Sequence, residues 1–254
     1  MSKTHIVIPA RFNSSRLPGK LMLDLAGEPV IAHVVKLALK ITDSVFVATD
    51  HQAIFELVET LGAKAVMTSD THNSGTDRLA EAAQTLGFAE QDIVVNLQGD
   101  EPLMPTALLS QVAQLLEQHP KAGMATLMQP IHAVDDWLNP NVVKVAAGAD
   151  KRAVYFSRAP IPFPRDEYQT PMTELPQGEF YRHLGLYAYR VSTLQAITQL
   201  PEHPLEAAEK LEQLRPLAHG IDIVVDVACQ APQHGIDTLD DLERVRHYLS
   251  QHNH

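Results

Sequence analysis

The 254-residue sequence contains one cysteine, one tryptophan and no long apolar run. A lone Cys229 excludes an intrachain disulfide and gives no zinc pattern. Its place beside the apolar run 223–228 predicts a small buried side chain in a reducing compartment. No stretch approaches the roughly 20 apolar residues needed to span a bilayer, because Arg11, Arg16 and Lys36 interrupt the candidates. The first apolar stretch, Ile6-Val7-Ile8, is too short for the core of a signal peptide, so a cytoplasmic location is expected. Positive charge is scarce as well. Twenty Lys and Arg stand against 31 Asp and Glu, a formal charge of −11, which excludes general binding to nucleic acid or an anionic membrane surface. The glycine spacings of a Walker loop or a dinucleotide fingerprint are also missing, which removes the NAD-dependent dehydrogenases.

What is present is ordinary globular material: 45% hydrophobic and 20% charged residues. Short apolar runs at 5–8, 45–48, 63–67 and 93–97 alternate with helical stripes. These begin after Pro29, span 53–61 and 77–86, and resume after Pro105. Continuous apolar runs suit strands covered on both faces, and their alternation with helices predicts an α/β fold with a doubly wound, mostly parallel sheet. Ligands then sit beyond the carboxyl ends of the strands. The second half reads as strands at 142–145, 153–156 and 184–189 and helices at 205–214 and 239–249, with Thr238 as N-cap of the last. Five prolines fall between 160 and 176, which predicts a loop or extended arm.

Charge is distributed unevenly. The first 23 residues hold Lys3, Arg11, Arg16 and Lys20 and no acid, leaving −15 on the remainder. Arg11, Arg16 and Lys20 recur at intervals of five and four just after the first strand, among small residues that let backbone N–H groups approach an anion. This pattern points to phosphate. Asp100 closes the fourth strand in Gln98-Gly99-Asp100-Glu101-Pro102, a position suited to hold Mg²⁺ against phosphate oxygens. Ser74 and Asp77 form a capping box at the start of the helix before that strand, where Arg78 in the first turn has no capping role and an exposed position is its ordinary fate.

Taken in order, Pro9-Ala10-Arg11 with Ser15-Arg16-Leu17-Pro18-Gly19-Lys20, then Ser74-Gly75-Thr76-Asp77-Arg78 and the Gln98–Pro102 segment, resemble the sugar-acid cytidylyltransferases. The match continues through Asn139-Pro140-Asn141-Val142-Val143-Lys144, Tyr155-Phe156-Ser157-Arg158, Arg182-His183-Leu184-Gly185-Leu186-Tyr187, Leu211-Glu212-Gln213-Leu214-Arg215 and Gly235-Ile236-Asp237-Thr238. It is similar in particular to the branch acting on 3-deoxy-manno-octulosonate (KDO).

The resemblance implies a nucleotide-diphospho-sugar transferase-like fold with a smaller mixed β/α lobe inserted in the second half. Within one catalytic domain over 1–254, residues 1–130 would bind nucleotide and 131–220 the sugar acid and a partner subunit. Residues 221–254 would return to the sheet and end in a helix. The implied reaction moves CMP from CTP to the anomeric hydroxyl of KDO, with Mg²⁺ as cofactor, pyrophosphate as by-product and a homodimer as the working form. Lipopolysaccharide biosynthesis would consume the product. Arg11, Arg16 and Lys20 would hold the triphosphate and, with Asp100, form the catalytic set. Ser74, Arg78 and Gln98 would lie at the cytidine, and Asp100 and Asp237 would ligate the metal. Arg158, His183, Tyr187, Glu212 and Gln213 would line the acceptor pocket, with Arg158 and His183 offsetting the acceptor's carboxylate. The alternatives are a related acceptor such as 8-amino-KDO or a sialic acid, or a non-catalytic nucleotide-binding homologue. That last class should have lost a catalytic position, and Lys20, Asp100 and Asp237 are all present.

Overall fold

A strand covered on both faces needs apolar side chains at every position, and its period of two deals them alternately to the two sides. The computed structural model describes residues 2–14, 17–72, 74–168, 171–233 and 235–252. Its strands are β1 (Thr4–Ala10), the two-residue pair β2 (Asp24–Leu25) and β3 (Glu28–Pro29), β4 (Val45–Thr49), β5 (Lys64–Met67), β6 (Ile93–Asn96), β7 (Met124–Pro130), β8 (Lys144–Ala147), β9 (Ala153–Ser157), β10 (Tyr181–Arg190) and β11 (Ile223–Val227). The helices are α1 (Val30–Leu39), α2 (Gln52–Thr60), α3 (Gly75–Thr85), α4 (Thr106–Gln118), α5 (Val134–Leu138), α6 (Val191–Ile197), α7 (Pro204–Glu209), α8 (Leu214–Ala218) and α9 (Leu239–His252).

The main sheet runs β11-β7-β10-β6-β1-β4-β5. Pairs among β6, β1, β4 and β5 are parallel, as is β11 with β7, whereas β10 runs antiparallel to both of its neighbours. In β1, Ile6 and Ile8 enter one apolar layer and Val7 the other; in β4, Val45 and Val47 part in the same way from Phe46 and Ala48. The first layer is completed by α1, α2 and α4 through residues such as Val34, Ile54 and Leu108, the second by α3 and α6 through Leu79 and Leu194. The expected α/β architecture is therefore present. The second-half lobe is an antiparallel β8–β9 hairpin joined to the sheet where Lys144 opposes Arg182. Beside it, a satellite cluster of Ile131, Trp137, Val142 and Phe180 is covered by Met172 and Leu175.

Three local expectations are corrected. Residues 205–214 do not form one helix: Lys210 adopts φ 52°, ending α7 one turn before α8 begins. The strand expected from Val142 starts at Lys144, because Val142 belongs to a turn closed by its N donating to Asn139 O (3.1 Å). Cys229 is exposed rather than buried, since β11 ends at Val227 and the chain leaves the sheet before reaching it. The last helix returns to the start of the chain, where Leu242, Val245 and Ile236 pack with Leu17, Leu25 and Val30. That small core brings the two ends of the sequence together at the carboxyl edge of β1.

Candidate active site

The segment after β1 is held open by its neighbours. Thr49 Oγ1 donates to Ala10 O (2.8 Å), and Phe12 N donates to Asp50 Oδ1 (2.9 Å) while its ring stacks on His51 at 3.8 Å. The other oxygen of Asp50 accepts from Arg78 Nη2 (2.9 Å), whose second guanidinium arm reaches Thr68 Oγ1. Arg78 is thus buried at 2% exposure rather than solvent-facing, and its ion pair fixes the far side of the loop. At Gly19 the backbone turns left-handed (φ 67°) and delivers Lys20 onto a 3-10 turn. Lys20 Nζ donates to Asp100, to Asp237 Oδ1 (3.1 Å) and to Ile236 O (3.1 Å).

Two carboxylates far apart in sequence thereby converge on one cationic point. Each is placed by local structure: Asp100 follows β6, and Asp237 precedes a reciprocal cap in which Asp241 N donates to Thr238 Oγ1 and the Asp241 carboxylate accepts from Thr238 N and Asp237 N. Gly99 permits the approach, since a Cβ there would lie 3.1 Å from Pro9 O. Arg11, Lys20, Ser74, Arg78, Gln98, Asp100 and Asp237 line one cleft of about 290 Å³. Arg16 lies outside the described residues. Glu101, which carries no sequence assignment, sits behind the pair; burial first, then the charges of Asp100 and Asp237, push its carboxyl up to about 8.

Asp100 and Asp237 are a fitting pair for Mg²⁺. Both offer hard oxygen donors, and both already point at a single positive centre. Among the described residues no cluster of three His, Cys, Asp or Glu ligands is assembled, so phosphate oxygens and water would complete the shell.

Next to this cleft the sheet divides. Strands β6 and β10 pair from Ile93↔Arg190 to Asn96↔Tyr187, after which β6 ends while β10 continues through a bulge between Leu184 and Tyr187. A cavity of about 460 Å³ opens on the α3 side, walled by Ser74, Asn96, Gln98, His183, Tyr187, Tyr189, Lys210, Glu212, Gln213 and Arg215. Ser74, Gly75 and Gln98 belong to both cavities, so they form a common wall. A second cavity, of about 510 Å³, opens on the α4 side through the same division and shares Asn96, Gln98, His183 and Gly185 with the first.

A family profile described as cytidylyltransferase matches residues 5–223 of the chain. The chain belongs to the cytidylyltransferase family. It is 50% identical over 253 residues to a 3-deoxy-manno-octulosonate cytidylyltransferase of Hahella chejuensis, covering 99% of each sequence. It is 49% identical to the same enzyme of Nitrosococcus oceani, covering 98% of each. Among solved structures, a CMP:2-keto-3-deoxy-manno-octonic acid synthetase complexed with CTP superposes with a TM-score of 0.88 at 42% identity, covering 99% of this chain and 100% of the other.

In this cytidylyltransferase the acceptor-side expectations divide. His183, Tyr187, Glu212 and Gln213 share one cavity, as the family pattern implied. Arg158 is absent from its wall. Its Nε donates to Glu209 O (2.6 Å), Nη1 to Pro140 O (2.9 Å) and Nη2 to Lys210 O (3.4 Å), so the guanidinium is committed to backbone carbonyls. The same knot contains Lys144, fully buried, whose Nζ donates to Asn139 O, Val142 O and Arg158 O. It also contains Glu209, whose carboxylate accepts from Ser157 Oγ (2.6 Å) and Arg158 N (2.8 Å).

With no anion beside it, burial pushes the His183 imidazole down to about 3, which makes the ring neutral and a poor partner for a carboxylate. Thr126 Oγ1 directs its single proton toward Leu184 O (2.9 Å) and Leu186 O (2.8 Å). The 3.0 Å contact to His183 Nε2 is therefore assigned as Nε2–H donating. Burial, reinforced by Glu206 and Asp77 against Arg215, raises the Glu212 carboxyl, and burial raises the Tyr187 phenol. Both therefore suit hydrogen bonding to hydroxyls. Arg215, which carries no sequence assignment, is in the wall but forms a fork to Glu206 at 2.7 and 2.6 Å. Arg182 is a further cation with no sequence assignment, as is Lys210 in the first cavity. It adjoins His183 in a quoted motif, and strand alternation alone places it on the opposite face.

Proposed function

We propose that the chain transfers CMP from CTP to the anomeric hydroxyl of KDO, giving CMP-KDO and pyrophosphate. The observation that carries this reading is the common wall of Ser74, Gly75 and Gln98 between the cation-bearing cleft and the hydroxyl-binding cavity. A nucleotide in the first would present its α-phosphorus to an acceptor in the second. Full-length relatives with that activity in their names support the choice of donor and acceptor.

On this reading Arg11, Arg16 and Lys20 offset the triphosphate, and Ser74, Arg78 and Gln98 surround the cytidine. Tyr187, Glu212 and Gln213 hold acceptor hydroxyls, with neutral His183 beside them. The anomeric oxygen bonds to the α-phosphorus as the bond from that phosphorus to the pyrophosphate oxygen breaks, and the hydroxyl proton passes to water. Such a transfer needs alignment and charge offset rather than a covalent intermediate. Mg²⁺ held by Asp100 and Asp237 would neutralise developing charge on the phosphate oxygens. We place the reaction in the cytoplasm, ahead of lipopolysaccharide assembly, and assign a homodimer. Exposed Val154 and Phe163, at 65% and 60%, support an apolar contact on the 131–220 portion.

Pyrophosphate release with CTP and Mg²⁺, compared across KDO, 8-amino-KDO and a sialic acid, tests the assignment. KDO should give the highest kcat/KM. A clear preference for either of the others overturns the acceptor, and no turnover with any overturns the activity.

A further inference from the structure

A carboxylate on the acceptor requires a cation, and the structure removes the expected ones. Arg158 is bound to carbonyls, His183 is neutral and Arg215 is paired with Glu206. Lys210 is solvent-exposed at the rim of the α3-side cavity. Arg182 remains. It lines the α4-side cavity together with Gln129, Gln233 and Glu101, and its Nε is buried with no hydrogen-bond partner among the described residues. A guanidinium N–H removed from water and left without an acceptor is costly, and a ligand oxygen would recover that cost.

Topology says which ligand oxygen. Gln98 is in the walls of all three cavities: the cation-bearing cleft, the hydroxyl-binding cavity and the one containing Arg182. The anomeric carbon of a 2-keto sugar acid carries three substituents that must diverge: the hydroxyl that attacks, the carboxylate and the ring. With that carbon beside Gln98, the hydroxyl faces the donor cleft, the ring faces Tyr187 and Glu212, and the carboxylate enters the remaining cavity. One guanidinium fork matches one carboxylate. The triphosphate has its own cations, Arg11 and Lys20, in a cleft that shares only Gln98 with this cavity.

We propose that Arg182 receives the carboxylate of the acceptor and thereby distinguishes a sugar acid from its uncharged analogues. The inference rests on the acceptor class assigned above.

The test compares wild type, Arg182→Gln and Arg182→Lys in the full chain, with KDO and its uncharged carboxamide as acceptors. Wild type should favour the acid. Arg182→Gln should raise the KM for the acid about 10-fold to 100-fold, the usual effect of losing a charge-assisted bond. Its KM for CTP should stay within about twofold and its preference over the carboxamide should disappear, while Arg182→Lys should fall between. The lysine variant decides the matter if the glutamine variant does not fold. Unchanged discrimination in either folded variant overturns the proposal, as does a change confined to CTP or to inhibition by pyrophosphate, which would make Arg182 a phosphate ligand. A wild type inert toward every sugar acid overturns the parent assignment and this one with it.

Discussion

Replacing Asp100 by Asn keeps the shape of the side chain that meets Lys20 and removes its charge. The expected result is a loss of kcat of at least about 100-fold, from charge stabilisation worth several kcal/mol. The Tm should move by only a few degrees, since the exchange also relieves repulsion with Glu101 and Asp237. Pyrophosphate release and a thermal melt check the two halves, and turnover near the wild-type rate would remove Asp100 from the metal site. A companion variant, Thr238→Ala, deletes the cap beside Asp237 and should cost about 1 kcal/mol, or roughly 2–4 °C in Tm. The meeting of Lys20, Asp100 and Asp237 was legible in the sequence because short motifs carry all three. Arg158 was not, because its acceptors lie 18, 51 and 52 residues away in sequence. Nor was the neutrality of His183, which depends on how deeply the fold buries it.

At the scale of elements, the wall Lys210–Arg215 is held by a clamp of Lys144, Ser157, Arg158 and Glu209 that lines neither of the two cavities beside β10. Glu209→Gln should therefore raise the acceptor KM about 10-fold, equal to about 1.4 kcal/mol, and leave the KM for CTP unchanged. Steady-state kinetics with each substrate varied in turn separates this from general loosening, which would raise both. The clamp also explains where the element reading was partial. Periodicity identified β1, β4 and β6 by their buried apolar runs, Ile6–Ile8, Val45–Ala48 and Ile93–Val95, as strands between two layers carry, and β5 by a shorter run at the sheet edge that buries only Val66. It merged α7 with α8, since an apolar stripe continues across Lys210 while the backbone there turns left-handed. Lys144 was readable as part of a motif, but not its purpose, because three carbonyl acceptors leave no trace in side-chain identity.

For the molecule as a whole, burying His183 ties stability to pH. Its folded value of about 3 lies below the ordinary 6.5, so between these limits the unfolded chain binds more protons and stability falls as pH is lowered. His5, also lowered by burial, adds to the same slope, while the raised Glu212 works against it. His183→Gln should flatten the slope of unfolding free energy between pH 6 and 4 by up to about one proton, measured by denaturant titration at several pH values. An identical slope in the variant would place the acid sensitivity elsewhere. Strand β10 has a consequence of a different kind. Tyr187 and Tyr189 on it line only one room, Arg182 and Leu184 only the other, and His183 borders both. An insertion or deletion of one residue between Arg182 and the Tyr187–Arg190 segment that β6 holds in register would turn Arg182 over, putting the guanidinium among the ring hydroxyls. Loss of two residues would preserve the facing. Acceptor recognition should therefore drift across relatives by substitution and by even steps along this strand, with odd steps purged.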